Sequence, residues 1–310
     1  MAIGNAGFVY RLEKGWGKLP TWWRFKSCSD VAVDSKDRVY VLDRGTHPVM
    51  VFDREGNFLS AWGEGLFRFA HSIYVDSEDF VWTSDCYTHV VMKFTQGGQL
   101  LQTFGTKDVP GTTYYGEPFN MPTGVAVSPS GSVFVSDGYG NYMVQKFSPD
   151  GEHLRSWGGP GTGPGKFALV HYLDVDGQGN VYVCDRENGR IQVFDEDGMY
   201  LAQWTGLFMP AKVCIKKDLA YVIEQGETPT SGRISIFSLD GSLLARWADN
   251  EGPGMGHPGI AHGIAVDSRG DIYVSELDPN LYDRFAGIWA VYPSHRPEGR
   301  PRIGKFARVE

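Results

Sequence analysis

Three histidines, His71, His171 and His262, share one position in a repeating sequence unit, and only every second copy of the unit carries one. The unit runs from an apolar-x-Val/Ile-Asp segment through a polar turn to a β-rich run closing on an acid. A strand ending in Phe follows. The Val or Ile before the turn is Val33, Val75, Val127, Val175, Ile215 and Val266, at spacings of 42, 52, 48, 40 and 51 residues. Each histidine stands four residues before its Val; the other copies have Ser29, Thr123 and Ala211 there. Copies set around an axis would aim three imidazoles at one point. Imidazole binds zinc and other divalent metals, and a catalytic zinc takes three protein ligands and keeps one position open. One such histidine alone would read as structural. Three in one register, with none between, predict a metal site.

Other side chains fall into two groups. Ten residues after the Val/Ile most copies carry an acid (Asp43, Asp85, Asp137, Asp185 and Glu276, with Glu224 at nine), which reads as a structural hydrogen-bonding position. The residue after the acid varies: Arg44 in copy one, Arg186 in copy four, and Gly138-Tyr139 in copy three. Two guanidiniums near a metal suit an anionic substrate, because Arg pairs with carboxylates through two hydrogen bonds. A salt bridge between blades is the competing reading. Tyr139 shares its position with Tyr87; a phenol with a free pKa of about 10 needs positive charge nearby to act as a base at neutral pH. His47 and His89 precede the third strand of their copies, where a structural role is expected, and His153, His257 and His295 fall in loops.

These residues must be positioned by a β framework. Short β-branched and aromatic runs between Asp-Gly-type turns are hairpin signals, as in Val181-Tyr-Val-Cys-Asp185 and Arg190-Ile-Gln-Val-Phe194. The period is that of a four-stranded propeller blade, and six copies predict a six-bladed, all-β propeller of residues 1–310 as one domain. Copy six runs through Ile288-Trp-Ala-Val-Tyr292 and lacks a clear last strand. Residues 8–17 look like that strand, so the N-terminus should close the ring. Insertions at 105–120, 158–168 and 249–260 each precede a first strand and should share one face.

The net charge of −8 disfavours a nucleic-acid groove. No apolar run approaches ~18 residues and no signal-peptide pattern opens the chain, so neither membrane span nor secretion is expected. Cys28, Cys86, Cys184 and Cys214 show no CxxC spacing and read as buried thiols of a reducing compartment, the cytoplasm.

Ser136-Asp-Gly-Tyr-Gly-Asn141, Asp185-Arg-Glu-Asn-Gly-Arg-Ile-Gln192, Asp43-Arg-Gly-Thr-His47 and the segments around the three histidines resemble the lyase domain of peptidylglycine α-amidating enzymes. The resemblance runs from about residue 29 to 275; much else is the NHL-repeat pattern shared by many non-enzymatic propellers. It implies a six-bladed propeller, zinc held by His71, His171 and His262, Tyr139 as general base, and Arg44 and Arg186 as substrate-positioning groups. It also implies the reaction: a peptidyl-α-hydroxyglycine splits into an amide and glyoxylate without a redox cofactor. Two features depart from the family. Its cysteine pairs correspond to Asn120 with Gly140 and Tyr182 with Val193. Its structural calcium is bound by carbonyls matching Val31 and Ile73 and by an aspartate whose place is Gly263. The expected substrate is therefore a small carboxylate-bearing molecule with a carbinolamide-like carbon. Two readings stand beside the lyase: a zinc hydrolase of a small anionic amide or ester, and a binding scaffold without chemistry.

Overall fold

In a computed structural model, residues 2–5, 7–112, 119–225, 232–248, 260–278 and 303–309 are described. They form six antiparallel sheets. Blades one to five have four strands each, laid side by side in chain order. The first strands of the six blades are Cys28–Val33, Ala70–Val75, Gly124–Val127, Val170–Val175, Pro210–Lys216 and Ile260–Val266. Each contacts the first strand of the next blade, and the sixth contacts the first, so the six line a closed axis. That is the expected six-bladed, all-β propeller.

The N-terminus closes the ring as the sequence predicts. Phe8–Glu13 pairs with Ile303–Arg308 as the outer strand of blade six, and Ala2–Asn5 adds a fifth strand beyond it. The third strand of that blade differs from expectation. Ile303–Arg308, not Ile288–Tyr292, pairs with the second strand Ile272–Leu277. The run Ile288–Tyr292 lies outside the described residues, as do insertion residues 113–118 and 249–259.

Two repeated devices explain why the unit folds this way. The aspartate after the Val/Ile turns the chain: Asp34, Asp76, Asp176 and Asp267 each accept hydrogen bonds from the backbone N–H groups two and four residues on. Such Asx turns offer the backbone a local alternative to the ladder. The second carboxylate oxygen accepts from a buried ring six residues on: Tyr40, Trp82, Tyr182 or Tyr273. The second device is the aromatic residue that ends an outer strand. Trp62 and Trp204 lie flat on turn glycines of the following blade, Gly98 and Gly241; these have φ of 86° and 89°, and a Cβ on either would overlap the indole.

The core is divided among the blade interfaces. Among the described residues six hydrophobic clusters occur, each with its buried members drawn from two neighbouring blades; one joins Trp204 and Tyr182 of blade four to Val213 and Phe237 of blade five. Among the described residues no helix is long and apolar enough to cross a membrane. None of the four cysteines is in a disulfide; Cys28, Cys86 and Cys184 are buried.

Candidate metal centre

The position four residues before the turn is a β-bulge. Pairing of first and second strands shifts register around His71, His171 and His262, and equally around Ser29 and Ala211. A bulge leaves one residue out of the ladder and re-aims its side chain. In the even blades the released side chain is an imidazole directed at the axis. The ring centroids stand 4.8 to 5.0 Å apart, and all three rings are 1–3% exposed. Their ligand atoms lie within 4.8 Å of one another.

The odd blades complete the arrangement. His71 Nδ1 is 2.6 Å from the Thr123 carbonyl, His171 Nδ1 2.6 Å from Ala211, and His262 Nδ1 2.5 Å from Ser29. These acceptors are the register equivalents of the histidines, each in the next blade around the ring. A carbonyl can only accept, so every Nδ1 carries the proton and every Nε2 presents a lone pair. Burial depresses the basicity of all three rings. It takes His71 to about 3 with Arg44 adding to the effect, while Arg186 and His262 add to burial at His171, and His71 and Arg44 at His262. The imidazoles are neutral, as metal ligands must be.

Tyr139 faces this triad. Its hydroxyl is 2.9 Å from His71 Nε2 and 3.2 Å from His171 Nε2. The adjoining Gly138 allows the approach, since a Cβ there would overlap the Val170 carbonyl beside His171. His262 Nε2 is buried with no hydrogen-bond partner among the described residues. A buried lone pair without a partner points to a missing ligand, and a divalent metal on the three Nε2 atoms fits.

Arg44 donates to the Ala70 carbonyl at 3.0 Å and stacks on the Phe69 ring at 3.7 Å. Arg186 is 3% exposed; it pairs with Glu187 at 2.8 Å and reaches Gln225 Oε1 at 3.4 Å. Arg186 thus makes an ion pair with its sequence neighbour and a hydrogen bond to Gln225 of blade five. The acids beside these residues are structural: Asp43, Asp85, Asp137, Asp185 and Glu224 accept from backbone N–H groups 16 or 17 residues earlier and so pin the segment entering the first strand. Tyr87 stacks on Phe69 at 4.7 Å and is not the counterpart of Tyr139.

Of the other histidines, His47 and His89 have structural partners, while His153, expected in a loop, begins the strand His153–Gly158. His47 stacks on Trp23 and bonds Glu64; His89 accepts from Met121 N; His153 bonds Gln145 and Ser156. His257 and His295 lie outside the described residues. Sequence reasoning missed Gln225 and Lys212. Gln225 directly follows Glu224, the position of Arg44 and Arg186 in their blades, and that spacing was the available signal.

The calcium implied by the family resemblance does not fit. The Val31 carbonyl accepts from Lys212 Nζ at 3.0 Å, and the Ile73 carbonyl from the Tyr172 hydroxyl at 3.4 Å. Gly263 brings no carboxylate.

Comparison with known proteins agrees with this architecture. The NHL repeat model matches residues 25–52, 119–147 and 167–194. Human NHL repeat-containing protein 3 is 32% identical over 230 residues, 69% of this chain and 66% of that protein; the chain thus spans slightly less than two thirds of this relative. Peptidyl-alpha-hydroxyglycine alpha-amidating lyase 1 of Drosophila melanogaster is 31% identical over 209 residues, 59% of this chain and 37% of that protein. A solved streptogramin B lyase structure superposes with a TM-score of 0.66 over 98% of this chain and 99% of that one; at 12% identity it speaks for the fold alone. The chain carries NHL repeats in a six-bladed β-propeller and is similar to proteins named peptidyl-α-hydroxyglycine α-amidating lyase.

Proposed function

We propose that this protein is a metal-dependent lyase that breaks the C–N bond of a carboxylate-bearing N-acyl-α-hydroxyglycine-like substrate, giving an amide and glyoxylate. The observation that carries the reading is the Tyr139 hydroxyl within hydrogen-bonding distance of two of three convergent, neutral imidazoles. The lyase homologue adds to it.

His71, His171 and His262 would hold the metal, with zinc the ion their chemistry suits, and it would supply a Lewis acid for the substrate oxygens. Arg44 and Arg186 bind the carboxylate and keep the site positive. That positive charge lets Tyr139 hold the base role and take the proton of the carbinol hydroxyl. The C–O bond becomes the aldehyde of glyoxylate as the C–N bond breaks. The electron pair leaves on the amide nitrogen, which takes up a proton. No electrons are lost or gained overall.

Incubation with α-hydroxyhippurate tests the reading. Benzamide and glyoxylate in equal amounts are expected. Benzoate in place of benzamide would make the protein a hydrolase, and no turnover by metal-loaded protein would remove the assignment.

A further inference from the structure

Directly beneath the imidazoles lies a second layer of the axis, built from the residues that follow the bulge: Asp30, Ser72, Gly124, Tyr172, Lys212 and Gly263. Asp30 and Lys212 meet there although they belong to blades one and five. Lys212 Nζ is 2.7 Å from Asp30 Oδ1 and 3.0 Å from the Val31 carbonyl, and lies 4.5 Å from the centre of the Tyr172 ring. Asp30 also accepts from the backbone N–H of Val31 and of Ile73, so its carboxylate ties blades one, two and five together. The blade between one and five is the sixth, and its residue in this layer is Gly263. A Cβ at Gly263 would overlap Asp30 Oδ1. The glycine is what lets the pair form.

We propose that the Lys212 ammonium is the resident cation of the propeller axis, occupying the place that a structural calcium holds in the amidating-lyase family. A cation at this point must neutralise a buried carboxylate and satisfy main-chain carbonyls. Lys212 does both, and it does so on a side chain that cannot dissociate. Below it the axis continues as a cavity of about 150 Å³, lined by Val33, Val75, Asp174, Cys214 and Val266 among others. Lys212 itself lines this cavity, and none of the three imidazoles does. The lysine also leaves its positive charge under the imidazoles.

The first test is made on the intact wild-type protein, with metal content and thermal unfolding as readouts. After equilibration with millimolar CaCl2 and desalting, the protein should retain no stoichiometric calcium, and its Tm should be the same with and without CaCl2. Stoichiometric calcium, or a Tm that rises with it, overturns the proposal. The second test removes the ammonium. Lys212→Met should lower the Tm by on the order of 10 °C, because the Asp30 charge is left buried and unpaired. Asp30→Asn in the Lys212→Met background should recover part of that loss. A Lys212→Met protein as stable as wild type overturns the proposal. If that variant does not fold, the calcium measurement on the wild type still decides.

Discussion

The even and odd blades use the same register position in different ways. In blades two, four and six the residue released from the ladder turns an imidazole to the axis; in one, three and five the same position contributes a main-chain carbonyl. Neither set makes a site alone. Three histidines without the carbonyls could each carry the proton on either nitrogen, and the carbonyls alone bind nothing in particular. The alternation therefore teaches that the repeat works in pairs of blades, three imidazole-bearing and three orienting. One residue further along, the pairing is broken: Asp30 and Lys212 both sit in odd blades, and they bond to each other.

Four experiments would break or sharpen that contrast. His171→Ala removes a proposed ligand from an even blade and should abolish both metal retention and turnover, read by metal analysis of the purified protein and by glyoxylate release. Retained metal would show that the triad is not the site. Tyr139→Phe keeps all three histidines and should keep metal, while kcat/KM falls by about 10²–10⁴-fold, the usual worth of an acid–base group. Full turnover would remove Tyr139 from the base role. Arg44→Gln or Arg186→Gln should raise KM for the carboxylate substrate by roughly 10–100-fold, since a hydrogen bond to a charged group contributes about 1.5–3 kcal/mol. An equal effect on a substrate analogue lacking the carboxylate would contradict that role.

The fourth experiment uses pH on metal-free protein. Burial first, then Arg44, lowers the His71 pKa from its ordinary value to about 3. The unfolded chain takes up this proton near pH ~6.5 and the folded chain does not. The stability of the folded state is thus intact above that pH and is lost as pH falls toward 3. Relative to a His71→Asn variant, the wild type should lose about 2 kcal/mol by pH 5, measured by denaturant unfolding. Substitution of Thr123, its partner in the odd blade, by Ser should leave the profile unchanged, because the acceptor is the main-chain carbonyl.

Much of this was legible in the chain. The period, the blade number and the closing N-terminal strand follow from hydrophobic alternation and turn residues, which act locally. The histidine triad follows from register, because a closed repeat carries equal positions to equal depths on the axis. Blade six shows where such reading stops. Ile288–Tyr292 has the composition of a strand, but Ile303–Arg308 holds the ladder between Ile272–Leu277 and Phe8–Glu13. Alternation of residue types does not state which run takes a given place in the ladder.

The sequence by itself determined the repeat, the propeller and the positions of His71, His171, His262, Arg44, Arg186 and Tyr139. Only the tertiary structure decided what those positions face. The bulge, the fixed Nδ1–H tautomer and the Lys212–Asp30 pair, whose members lie 182 residues apart, all depend on contacts across blades. A repeat specifies depth along the axis. Which side chain reaches across it is set by the width of the channel and by the room left at a neighbour such as Gly263, and those arise only when the ring closes.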